Sequence, residues 1–344
     1  MMKRLRYSEF LARRGEYDDA VARTPDVAAF CSASAWILAA RACLRPGEAE
    51  ESGGAPRLRE AGPDAESGVF VATEPETGSW LVFRRSDEGY WQPFEGSWLF
   101  ACPLAGPDPA ATVAFLEKTG RALAMTGPAA FLVGGVPAGG SLHRALSDAG
   151  RRARRHVEFP ATDCMTIDLS DGVGGWLARR SRKFRRSLAA AENRRAAAGI
   201  EIAPAPPDQT PDDLFARLMA VQGRTEKWKA GTDIFHHADC RDFYRELLGD
   251  LRESGALRLL FARRGGEDIA HIFGGVFPGT YRGLQMSYAA EWSGVGVGNA
   301  LQLENLRRSA AEGVTLYDLG MPSDYKERWA DRRRELLGVF LAFG

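Results

Sequence analysis

Apolar and polar residues alternate most regularly in the last third of the chain. Leu257 to Ala262, Ile269 to Phe277 and Tyr281 to Tyr288 are strand-like runs, parted by Gly265-Gly266 and Pro278-Gly279. Such turn pairs suit an antiparallel meander. In the third run Leu284, Met286 and Tyr288 share one face at period two. The period then changes. Val297, Ala300, Leu303, Leu306 and Ala310 recur at spacings of three and four, which predicts a helix with Gly313 placed to end it. Thr315 to Leu319 returns as a strand, and Ser293-Gly294-Val295-Gly296-Val297-Gly298-Asn299 joins the meander to the helix.

The first half echoes this plan. Residues 1–45 read as two short amphipathic helices, and Arg45 to Pro63 as a polar loop rich in glycine, proline and acid. Val69 to Ala72, Ser79 to Arg84 and Ser97 to Ala101 are predicted strands of another meander. Pro107-Asp108-Pro109 opens a helix that runs to about Met125, with Asp108 as N-cap. A strand, Ala130 to Val133, and a helix, Ser141 to Ala149, follow. No alternating glycine series follows this first meander. Residues 1–160 therefore read as a degenerate copy of the fold in 161–344, and the fold class as α/β (α+β) with mixed, mostly antiparallel sheets flanked by helices.

Arg151 to Arg155 is a linker candidate, and Met165 to Leu169 a strand. Trp176, Leu177, Arg180, Phe184 and Leu188 share one face of a predicted helix, with Arg182, Lys183, Arg185 and Arg186 on the other. Gly199 to Ile202 reads as a strand, Pro204 to Pro211 as a loop, and 212–221 as a helix. The polar loop Arg224 to Asp233 lies where a substrate lid can sit, before a helix from Ala238 to Ser254.

Composition narrows the classes. Of 344 residues, 45% are hydrophobic and 26% charged, as in an ordinary globular protein, and the formal net charge is zero. No global field recruits nucleic acid or an anionic membrane. The basic start Met1 to Arg6 is followed by no apolar core, and Ala28 to Ala40 is too short to span a bilayer. The five cysteines include no C-x-x-C pair, and His236-His237 has no third ligand at useful spacing. The expectation is a reducing cytoplasm and no metal.

Three alternating glycines at the start of a helix let backbone N–H groups converge on a phosphate. The antiparallel strands before them exclude a dinucleotide-binding order. The arrangement resembles the GNAT acyltransferases, whose Q/R-x-x-G-x-G/A loop holds the pyrophosphate of coenzyme A. Gly296 and Gly298 match its glycines, and Ser293 stands at its first position. Ser181 to Arg186, Glu226 to Lys229, and Tyr317 to Gly320 with Tyr325 to Trp329 occur in that order. Together they look like the CelD/BcsL-type branch of the GNAT superfamily, which is related to the Fem aminoacyltransferases. The resemblance covers roughly residues 100–344. It implies a tandem GNAT fold whose N-terminal copy has lost its cofactor site. The implied activity is transfer of an acetyl or other acyl group from acyl-CoA to an amine of a small molecule, amino acid or sugar.

The resemblance also implies roles. A backbone N–H near Tyr288 or Ala289 would polarise the acyl carbonyl, and Gly294, Val295, Gly296, Val297, Gly298 and Asn299 would cradle the diphosphate. Tyr325 would protonate the thiolate, and Asp318 or Glu226 would take the amine's proton. Trp228, Lys229, Arg185 and Lys326 would meet the acceptor. Each residue also has a plainer reading, with Tyr325 as packing, Asp318 as a cap and Lys326 as solvated. Two other functions stay open. One is a Fem-like aminoacyl-tRNA-dependent transferase with RNA on the helix around Lys183; the other is a non-catalytic binding module. The acceptor, acyl chain, general base and oligomeric state, a homodimer included, are not legible here.

Overall fold

A computed structural model describes residues 2–44 and 68–344, so the predicted polar loop Arg45 to Pro63 lies outside the described residues. Two compact units result, one of Met1–Asp163 with Arg334–Gly344 and one of Cys164–Arg333. The fold class is the one expected from the sequence, mixed α/β with sheets flanked by helices. The last segment joins the first unit because Leu337, Val339, Leu341 and Phe343 pack into its core.

The first unit begins with β1 (Lys3–Leu5), α1 (Tyr7–Ala12), α2 (Arg14–Arg23), α3 (Ala29–Ser32) and α4 (Ser34–Cys43). This replaces the two helices expected. Side chains punctuate the segment. Glu9 accepts the Arg6 N–H at 2.8 Å, and Asp18 accepts the Ser34 N–H and hydroxyl at 2.7 and 2.6 Å, which starts α4. Then come β2 (Val69–Glu74), β3 (Ser79–Arg85), β4 (Trp91–Gln92), β5 (Leu104–Ala105), α5 (Pro109–Ala124), β6 (Ala129–Pro137) and α6 (Ser141–Gly150). The predicted strand Ser97 to Ala101 is instead a tight turn, with Leu99 left-handed at φ 50. Buried Glu95 gathers it, accepting the Trp36 Nε1–H at 2.7 Å and the Ala101 N–H at 2.6 Å.

β7 (Arg155–Asp168) starts earlier than predicted and crosses the boundary, its residues 164–168 belonging to the second unit. There follow α7 (Gly172–Ala178), α8 (Arg182–Ala197), β8 (Glu201–Pro204), α9 (Pro211–Gln222), α10 (Glu226–Lys229) and α11 (Ala238–Glu253). After them come β9 (Leu257–Arg264), β10 (Glu267–Phe277), β11 (Thr280–Tyr288), α12 (Val297–Ala311), β12 (Leu316–Gly320) and α13 (Asp324–Glu327), before β13 (Arg332–Phe343). The single helix expected over Trp176 to Leu188 is broken between α7 and α8. The Ser181 hydroxyl caps the Phe184 N–H at 3.2 Å, and Asp331 binds both Arg179 and Arg180 at the break.

The second unit's sheet runs β7-β12-β11-β10-β9-β8. Its ladders are antiparallel except β11 with β12, which is parallel. Alternation along β10 sends Ala270 and Ile272 to one face, against Val297 and Leu301 of α12. It sends His271 and Phe273 to the other, against Gln222 of α9 and Tyr244 of α11. A second core joins Tyr281 and Tyr317 to Trp176 and Trp329, whose rings stack 5.4 Å apart.

Candidate active site

β11 and β12 pair only over Thr280–Arg282 and Leu316–Asp318. Beyond that the two strands part, and residues 283–288 of β11 line a cavity of about 690 Å³. The Ala289 N–H is spent on Ile269 O at 2.8 Å, and Ser287 and Gln285 face His271 and Phe273 in the same register. Antiparallel pairing alternates, so the N–H groups of Met286 and Tyr288 turn to the edge facing the cleft. Of the two N–H groups expected to polarise a carbonyl, that of Tyr288 faces the cleft and that of Ala289 does not.

Gly296, Val297, Gly298 and Asn299 bring the start of α12 to the same cavity. Gly296 is left-handed at φ 79, and no side chain caps the helix. Among the described residues the N–H groups of Val297 and Gly298 have no acceptor one turn back, whereas that of Asn299 donates to Gly296 O at 3.1 Å. A Cβ on Gly298 would stand 3.2 Å from the Tyr288 ring, and one on Gly296 would stand 3.1 Å from Arg194 Nη2. Bare backbone and a helix dipole at an open cavity form a donor set that fits a diphosphate. Gly294 and Val295 lie in the preceding turn, Ala290–Val295, and are not on the cavity wall.

Tyr325, Lys326 and Arg328 add a further part of the wall. The Tyr325 hydroxyl lies 3.9 Å from Met286 Sδ, and burial raises its pKa well above the usual phenol value. It therefore holds its proton at neutral pH. Lys326 Nζ donates to Met321 O at 2.9 Å. Burial first, then the charge of Arg282, pushes that amine down to about 8. Glu226 is on the wall and pairs with Lys229 at 3.3 Å.

Other predicted residues sit elsewhere. Asp318 is buried, bound to Arg282 at 2.6 Å and to the Gly320 N–H at 2.7 Å, and does not line the cavity. Neither do Trp228, which stacks on His236 at 4.2 Å, Lys229, or Arg185, which donates to Arg180 O at 2.8 Å. The sequence singled out neither Gln222 nor Gln302 and placed Asp233 only at the end of the lid loop; all three are on the wall. His271 is wholly buried, and burial pushes it down to about 3. Its Nε2 meets Gln222 Oε1 at 3.3 Å, and the Gln222 amide donates to Asp233. A neutral ring that donates through Nε2 satisfies this chain. The signal available was a polar residue at an apolar strand position; its partners come from the fold.

Residues 178–327 match the family model of the acetyltransferase (GNAT) domain, a stretch inside the second unit. The whole chain is similar to a solved conserved protein of unknown function from Bacteroides thetaiotaomicron VPI-5482. That likeness has a TM-score of 0.64 at 14% identity and covers 99% of this chain and 100% of the other. FemX is similar at a TM-score of 0.62 and 11% identity, over 94% of this chain and 95% of its own. L-PGS from Bacillus licheniformis is similar at 0.51 and 14%, over 80% and 84%. At these identities the likeness is one of fold. No curated protein matches. Among the described residues no group of three metal-ligating side chains could hold an ion, and no helix is long and apolar enough to cross a membrane.

Proposed function

We propose that the second unit is an acyl-CoA-dependent N-acyltransferase that moves an acetyl or other acyl group onto an amine. The observation that carries this reading is the uncapped start of α12, with Gly296 and Gly298 opening onto the cavity beside the free edge of β11. The thioester supplies an activated acyl group. Backbone N–H groups of α12 hold the diphosphate, and the Tyr288 N–H points at the acyl oxygen as charge grows there. Tyr325, kept protonated by burial, hands its proton to the departing sulfur. Glu226 is the carboxylate on the wall whose oxygens meet solvent, and it takes the proton lost by the amine. The first unit is in this reading a copy of the fold without a cofactor site. Among the described residues no disulfide joins the five cysteines, which suits a reducing cytoplasm.

Calorimetric titration with coenzyme A tests the proposal. Wild-type protein should bind one equivalent. Gly298→Asp, which sets a fixed carboxylate where the diphosphate belongs, should abolish binding with the circular dichroism spectrum unchanged. Equal affinity in the two proteins would refute the reading.

A further inference from the structure

The cavity wall carries three cations, Lys227, Lys326 and Arg328, and among the described residues none has a carboxylate within ion-pair distance. The two acids on the wall, Glu226 and Asp233, and the neighbouring Asp318 have partners of their own. Glu226 pairs with Lys229, Asp318 with Arg282, and Asp233 with the Gln222 amide and the Phe235 N–H. Lys326 has a backbone carbonyl as its partner, and Arg328 lies 5.8 Å over the Tyr325 ring. Lys326 is half-buried, whereas Lys227 and Arg328 are exposed, and a wall with this excess of positive charge attracts an anion.

We infer that the acceptor carries a carboxylate or phosphate beside its amine, and that Lys227, Lys326 and Arg328 hold that anion. The inference rests on the acyl-CoA reading, because it names what the same cleft accepts. The charge has two candidate owners, cofactor and acceptor. The diphosphate fits the bare backbone of α12, whereas these cations come from α10 and the segment from α13 to Arg328. Arg182, Lys183, Arg185 and Arg186, the basic cluster most visible in the sequence, do not line the cavity. Lys326 adjoins Tyr325 in the chain, so an anion held there would set the acceptor's amine close to the proposed acid. Its depressed pKa is what burial beside Arg282 without a bound anion produces.

The test is reductive methylation of the whole protein with formaldehyde, with Lys227 and Lys326 quantified by mass spectrometry. It is run with and without saturating coenzyme A, in the presence of succinate, inorganic phosphate or uncharged succinamide. Succinate or phosphate should slow labelling of both lysines about tenfold, the size of one charge-assisted contact. Succinamide should not, and whichever anion acts at lower concentration identifies the acceptor's group. Arg328→Gln should relieve the protection of Lys326 while leaving coenzyme A affinity unchanged. Equal protection by succinamide, no protection by either anion, or full protection by coenzyme A alone would overturn the inference. Because labelling is also read without the cofactor, failure to bind coenzyme A would refute the acyl-CoA reading separately.

Discussion

Two helices of this protein begin soon after an antiparallel meander, and they begin in opposite ways. In the first unit α5 starts with Pro109, which has no N–H, and the Asp108 carboxylate takes the N–H groups of Ala110 and Ala111 at 2.9 and 3.2 Å. In the second unit α12 starts after Gly296, with no capping side chain and a cavity in front of it. The first helix supplies its own anion; in the proposed reading the second leaves the place to a ligand. If the first unit is a copy of the fold without a cofactor site, as proposed, one carboxylate and one proline at a helix start are enough to close it.

The chemistry of the open end gives the largest expected effect. Tyr325→Phe removes the proton proposed for the leaving sulfur while keeping the ring that packs 5.9 Å from Trp329. Turnover should fall by about 10²–10⁴-fold, the usual size of a general-acid contribution. Coenzyme A affinity should hold, because the proposed diphosphate contacts lie on α12. Full turnover in this variant would leave Tyr325 as a packing residue and weaken the contrast between the two units.

The units should also answer pH in opposite senses. In the first, burial pushes Glu95 from 4.5 up to about 7. The folded state holds that proton more tightly, so the contribution of Glu95 is present at low pH and lost as pH rises from about 4.5 to 7. In the second, burial pushes His271 from 6.5 down to about 3, so its contribution is present above about 6.5 and lost as pH falls toward 3. Glu95→Gln should therefore narrow its stability deficit as pH rises, and His271→Gln as pH falls. The changes should be on the order of a few kcal/mol at most. Amide hydrogen exchange, read separately for each unit, checks both, and parallel trends in the two variants would contradict the assignment.

What the sequence disclosed follows how local each signal is. The meander β9 to β11, helix α12 with Gly313 beyond it, and the Asp108 cap rest on near neighbours in the chain, and they stand where the pattern places them. The opening segment was misread because its breaks depend on Asp18 reaching Ser34, sixteen residues on. Ser97 to Ala101 alternates like a strand, yet buried Glu95 and Trp36 fold it into a turn. The glycine series announced itself by spacing, and Tyr325 through the resemblance to the GNAT acyltransferases. The cavity wall did not: Asp233, Gln222 and the lysines meet only because α9, α10 and α13 converge on the edge of β11. Asp318 drew attention at a strand end, but its partner Arg282 is across the ladder.

The smallest effect is the most direct trial of the comparison. Asp108→Ala deletes the two hydrogen bonds that cap α5, and losing such a cap costs about 1 kcal/mol. In a chain of two units the fitting measurement is local, so exchange protection at Ala110 and Ala111 should drop while α12 is unaffected. The variant should still bind one equivalent of coenzyme A. Pro109 offers no N–H, and the Cβ atoms of Ala110 and Ala111 hold any phosphate off the backbone that the glycines of α12 leave bare. If a second equivalent appeared in the titration, the carboxylate alone would have been closing the first unit. Proline and alanine at the helix start would then have no part in the difference.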